Sequence, residues 1–222
     1  MVANSPQLAY SNFDLRHKAV TYHMIERSTK IGKFSLMAIY SMRSGNPFSF
    51  VYEGDMNRDG SAKNDLFYIP RDASEIRLQP ILDANGVEIV SAAAQWTQLD
   101  AYISGNEYLR NHRGQIAERN GARTPWNHQL DFRFGYNKPL LHGKHNLQVT
   151  LDLINAGNLV SKTWGNQYFV PNVQNAGFGL MDFIKIQNGE PVFQFKNPGG
   201  TPWQIDPLNS RWQAQLGLQY SF

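Results

Sequence analysis

The chain closes on a strict alternation. From Arg211 to Phe222, Trp212, Ala214, Leu216, Leu218, Tyr220 and Phe222 fall on one set of alternate positions. Gln213, Gln215, Gly217, Gln219 and Ser221 fall on the other. Successive side chains of a strand point to opposite faces, so period two predicts a strand with one apolar and one polar face. Upstream, Leu147, Val149, Leu151 and Leu153 alternate with Asn146, Gln148, Thr150 and Asp152. Leu130, Phe132, Phe134 and Tyr136 alternate with Gln129, Asp131, Arg133 and Gly135. Near the start, Val20, Tyr22 and Met24 alternate with Thr21 and His23, which predicts an apolar face on the first three. Phe34, Leu36, Ala38 and Tyr40 follow, opposed less cleanly by Ser35, Met37 and Ile39. The pattern predicts strands near 15–27, 30–43, 126–138, 144–155 and 210–222. Their lengths suit the roughly 9–11 residues that a tilted strand needs to cross a bilayer.

A soluble sandwich produces the same alternation, so the connections carry more weight. Residues 26–30 and 138–144 read as short turns, whereas 44–125 and 156–208 are very long. Short turns alternating with long loops is the habit of outer-membrane barrels, and structureless loops of this length argue against a compact soluble domain. By parity the last strand runs toward the periplasm, and the long loops are extracellular. One loop carries a helix over 91–110, with Trp96, Leu99, Tyr102 and Ile103 on one face, expected to pack on the loop beneath it. A further hairpin is expected over 178–196. The expected fold is all-β: an antiparallel transmembrane β-barrel segment of about five spanning strands. Barrels of this kind have an even count of at least about 8 strands, and open edges in lipid leave backbone groups unsatisfied. The sequence is therefore expected to be the C-terminal part of a longer barrel.

Composition sharpens this in places. The chain has 222 residues, of which 41% are hydrophobic and 13% aromatic, and its mean hydropathy is -0.46. No stretch approaches the roughly 20 consecutive apolar residues of a transmembrane helix. Barrel strands look polar on average, and their aromatics gather in girdles. The same aromatic share would suit a soluble carbohydrate-binding β-domain. There is no cysteine, which excludes disulfides and thiolate metal sites. The net charge of +3 is dispersed, with no basic run to suggest nucleic acid. Met1 to Pro6 has neither a charged nor an apolar region and does not read as a secretory signal.

Several segments carry a resemblance. Tyr40-Ser41-Met42-Arg43-Ser44-Gly45-Asn46-Pro47-Phe48-Ser49-Phe50 resembles a strand-to-loop segment of Oar-like TonB-dependent receptors. So do Asp55-Met56-Asn57-Arg58-Asp59-Gly60, Asn64-Asp65-Leu66 and Tyr68-Ile69-Pro70. Glu118 to Trp126, Trp164-Gly165 and Tyr168-Phe169-Val170-Pro171 are similar to later parts of the family pattern. The closing strand, with Trp212, Leu216, Leu218, Tyr220 and Phe222, resembles the terminal strand read by the barrel-assembly machinery. The resemblance implies a 22-stranded barrel closed by an N-terminal plug, in the outer membrane of a Gram-negative cell. It implies binding of a substrate at the extracellular loops and import driven by the TonB complex through the plug. The plug and the TonB-contacting segment are not in this sequence.

Asp55-x-Asn57-x-Asp59-Gly60 matches the first half of an EF-hand-type loop, with oxygen donors at alternate positions and a turn glycine. With Asp65 it is a candidate structural calcium site. The twelfth position is Leu66, however, and the ninth is Lys63, which repels a cation. An Asx-turn loop, bonding to its own backbone, is the alternative. Asp131, Arg133 and Asp152 share the polar face of neighbouring strands and suggest an ion pair. The six histidines show no zinc pattern. His128 could sit near Asp131 on the lumen side, but a satisfied strand histidine is the expected reading. Tyr52, Tyr68, Trp96, Tyr102, Trp164, Tyr168 and Trp203 are either ligand-contacting loop aromatics or loop core. Asp100 and Glu118 lack the spacing of a catalytic pair, and no enzymatic activity is expected. Two other classes of function remain open: a non-transporting surface or adhesion barrel, and a soluble carbohydrate-binding domain.

Overall fold

Lys18–Thr29 and Gly32–Arg43 pair as an antiparallel hairpin around a two-residue turn, with Thr29 opposite Gly32. The turn closes on itself: Thr29 Oγ1 donates to the Gly32 carbonyl at 2.8 Å and accepts from Ile31 N. Gly32 sits at φ 147°, and a Cβ there would lie 2.7 Å from both the Asn137 carbonyl and the Tyr136 ring. Glycine thus lets Tyr136 cover the turn, and the Tyr136 hydroxyl donates to the Ile31 carbonyl at 2.6 Å. The computed structural model describes residues 8–61, 64–171 and 177–222. Met1 to Pro6 and Lys63 lie outside the described residues, as does the side chain of His142.

The fold is mostly β and divides into two compact units. One unit, residues 15–45, 125–169 and 205–222, contains an open five-stranded antiparallel meander. Its strands are Lys18–Thr29, Gly32–Arg43, Asn127–Leu140, His145–Ile154 and Gln213–Ser221, each hydrogen-bonded to the next in chain order. The sheet does not close, and the first and last strands are its edges.

The other unit, within residues 1–14, 46–124 and 170–204, is built from the long connections. These are not structureless. Pro47–Glu53 is the strand around which they organise: it pairs antiparallel with Ala122–Arg123 and parallel with Gly177–Gln187. Gly177–Gln187 turns back into Glu190–Gln194, forming the hairpin expected over 178–196. Asn188 and Gly189 make that turn at φ 55° and 83°, the pair of positive angles that a tight two-residue hairpin requires. Pro47 to Tyr52 is buried at every position. A strand covered on both faces has no apolar–polar alternation, so the sequence pattern passed over it.

Phe48, Phe50, Phe67, Ile69, Leu99 and Ile103 form the centre of this unit's core. The helix expected over 91–110 is two helices, Ala92–Gly105 and Glu107–Asn111. Ser91 caps the first, its Oγ accepting from Ala94 N at 3.1 Å. The break falls at Asn106, whose side chain accepts from Leu109 N and so starts a second helix. The apolar face packs into the core as expected, with Leu99 and Ile103 fully buried and Trp96 and Tyr102 against them. Gln95 is buried too. Its amide donates to the Gln79 carbonyl at 2.8 Å and accepts from Phe195 N at 2.9 Å, satisfying the backbone of two segments that have no ladder of their own there.

Candidate functional site

Cross-strand partners share a face, so the register of the meander assigns every side chain to one side. One row runs Leu216, Leu151, Phe134, Leu36 and Ile25 across all five strands. The next runs Leu218, Val149, Tyr136 and Phe34, and another runs Ala214, Leu153, Phe132 and Ala38. Over the second to fifth strands these three rows are apolar throughout, yet Leu216 and Leu218 are 74% and 75% exposed. Phe34, Phe134 and Ile25 are exposed as well. Covering one such side chain is worth about 1.5–3 kcal/mol, and contiguous apolar patches of this extent are rare on soluble monomers.

Aromatic residues bound the face at both ends. At the short-turn end Phe34 and Tyr136 lie 4.9 Å apart. The Tyr220 hydroxyl meets His145 Nδ1 there at 2.6 Å. At the other end the Tyr40 hydroxyl meets His128 Nδ1 at 2.8 Å, and His17 stacks on Trp126. His128 pairs with Met42 in the ladder and therefore shares the face of Tyr40. His128 is thus a strand histidine with a partner, as expected; the alternative beside Asp131 fails, because Asp131 is three residues along and points to the opposite side.

The reverse face is polar. Arg133 and Asp152 are direct cross-strand partners and form a two-bond ion pair, Nε to Oδ1 at 2.5 Å and Nη2 to Oδ2 at 2.9 Å. Asp131 accepts instead from Gln129 and from Asn155 N. The first strand departs from expectation. Val20, Tyr22 and Met24 pair with Ser41, Ile39 and Met37, which places them on the polar face. Thr21, His23, Ile25 and Arg27 are the residues on the apolar one. Each strand alternates as expected, but the two-residue turn sets which parity meets which.

In the closing strand, Leu216, Leu218 and Tyr220 lie on the apolar face opposite Leu151, Val149 and Leu147. Trp212 and Phe222 flank the strand and are exposed.

In the other unit the candidate metal loop turns on its own backbone. Asp55 accepts from Asp59 N at 3.0 Å and Gly60 N at 2.9 Å. Asn57 accepts from Asp59 N, and Asp59 from Ser61 N and the Asn64 amide. Asp65 is buried and accepts from Met56 N at 2.9 Å. The bonds from Asn64 and Ser61 hold the Asp59 carboxyl below its ordinary pKa. Among the described residues no three His, Asp or Glu side chains gather as a metal site.

Asp100 is bound by Arg113 at 2.6 Å. Tyr52 is in the core, and Trp96, Tyr102 and Trp203 pack on it, whereas Trp164, in the unit of the meander, is exposed. Comparison with known proteins found no matching family model, curated protein or solved structure.

Proposed function

We propose that the meander is a membrane-spanning part of an outer-membrane β-barrel, belonging to a TonB-dependent receptor of the Oar-like kind. The observation that carries this reading is the apolar ladder across five strands, exposed, rimmed by aromatics at both ends, and backed by a polar face with a charge pair. Lipid covers the apolar face, and the polar face lines the barrel interior. The two short turns lie at one end of the sheet and the long connections leave from the other, the extracellular side on this reading. There they bind the substrate, which the whole receptor imports with energy transmitted by TonB through its plug. Asp55, Asn57, Asp59 and Asp65 are the oxygen donors that would hold a calcium ion, whose role would be to brace the surface loop.

Most loop aromatics are used as core, which weakens the carbohydrate-binding alternative. The test is fractionation of native membranes, with an antibody against residues 211–222. An outer-membrane band much larger than 25.3 kDa, shifting in mobility on boiling, is the expected result. A soluble band at the mass of this chain would overturn the reading. A heat-modifiable band whose parent lacks a plug would move the adhesion barrel to first place.

A further inference from the structure

The short-turn end of the meander is cationic. Arg27, Lys30, Lys33, Lys138 and Lys144 lie within a few residues of the two turns, and all are exposed. One acidic side chain shares this end among the described residues: Glu26, 2.8 Å from Lys33. Arg27, Lys30, Lys138 and Lys144 have no acidic partner among the described residues.

Two of these cations sit on the apolar face itself. Arg27 pairs with Phe34, in the row of Tyr136, and Lys138 pairs with Leu147, in the row of Tyr220. A long cationic side chain beside aromatic rings lays its stem along apolar surface and sends its charge to the water boundary. The hydroxyls of Tyr136 and Tyr220 mark that boundary on the same edge, engaged with the Ile31 carbonyl and His145.

Resting on the membrane reading above, we infer that this rim binds the headgroups of anionic phospholipids in the leaflet at the short-turn end. Phosphate oxygens are the acceptors that the unpaired ammonium and guanidinium groups lack. The apolar rows directly above provide for the acyl chains of the same lipid molecules. Charge and hydrophobicity thus coincide on one edge, which a free phosphate ion would not require.

The test is partition of the full chain into vesicles of phosphatidylcholine alone and of phosphatidylcholine mixed with phosphatidylglycerol, read by flotation and tryptophan fluorescence. The expected result is entry into both, with marked preference for the anionic vesicles. The triple variant Lys30→Gln, Lys138→Gln, Lys144→Gln enters neutral vesicles as before and loses about fivefold of that preference per residue. Raising salt from about 0.1 M to 1 M, which shortens the screening length from about 10 Å to 3 Å, abolishes the preference. Arg77→Gln with Arg110→Gln, in the other unit, leaves it intact.

Equal entry of the unaltered chain into both vesicle types overturns the rim and leaves the membrane reading standing. No entry into either overturns both. An equal drop in the Arg77 and Arg110 variant assigns the preference to net charge and overturns the rim. Loss of the preference on adding sodium phosphate, but not sodium chloride of matched ionic strength, assigns a free-phosphate site instead.

Discussion

Tyr102 and Tyr108 lie on the two successive helices, and one has a hydroxyl partner that the other lacks. The Tyr108 hydroxyl accepts from Glu118 N at 2.8 Å. That of Tyr102 is buried without a partner, and burial raises its pKa. An unsatisfied buried hydroxyl costs stability, while removing one side of a made bond strands the other. Tyr102→Phe is therefore expected to be neutral or stabilising by up to about 1 kcal/mol, and Tyr108→Phe destabilising by about 0.5–1.5 kcal/mol. Urea unfolding midpoints of the chain in neutral detergent measure both.

Tyr52 gives a pH dependence. Burial pushes its phenol from 10.0 to about 12, so the folded state holds its proton where the unfolded state releases it. The corresponding stability is intact below pH 10 and is lost as pH rises toward 12. Tyr52→Phe is expected to flatten that part of the profile of unfolding midpoint against pH. Only the identity of these residues is visible in sequence. Which tyrosine finds a donor depends on where residue 118 is brought.

For the elements, the decisive quantity is parity. Period two identified the strands of the meander, and it identified Arg133 and Asp152 as a pair across neighbouring strands. It also placed Leu216 and Leu218 on an apolar face. Leu216→Arg is expected to cost about 2–4 kcal/mol in lipid, and Gln215→Arg close to nothing, read as the fraction of heat-modifiable band.

The first strand is the exception. Both its residue sets contain apolar members, so alternation alone left its facing to the stronger run, Val20, Tyr22 and Met24. The turn at Lys30–Ile31 reverses that choice. Because the chain has no cysteine, the register can be trapped cleanly. Tyr22→Cys with Ile39→Cys, partners in the ladder, is expected to form a disulfide on mild oxidation. Tyr22→Cys with Tyr40→Cys is not, because the two side chains leave opposite faces.

On the scale of the whole molecule, the long connections form a unit with its own core, and calcium is a question for that unit. If Asp55, Asn57, Asp59 and Asp65 hold the ion, millimolar calcium is expected to raise the melting temperature over that in chelator, and Asp59→Ala to remove the difference. An unchanged melting temperature in the unaltered chain would leave the loop held by its Asx turns alone.

Local features were legible in the sequence: where period two makes strands, that a helical pattern lies over 91–110 and a hairpin over 178–196, and which charges face each other. The non-local features came from the packing of distant segments. Pro47–Glu53 pairs in parallel with Gly177–Gln187, more than a hundred residues along the chain, and is buried on both faces. Burial on both sides erases the alternation that would reveal a strand, and no local rule fixes so distant a partner. The facing of the first strand belongs with it. A shift of one residue in a turn costs little locally, yet it exchanges every side chain between the apolar and the polar side.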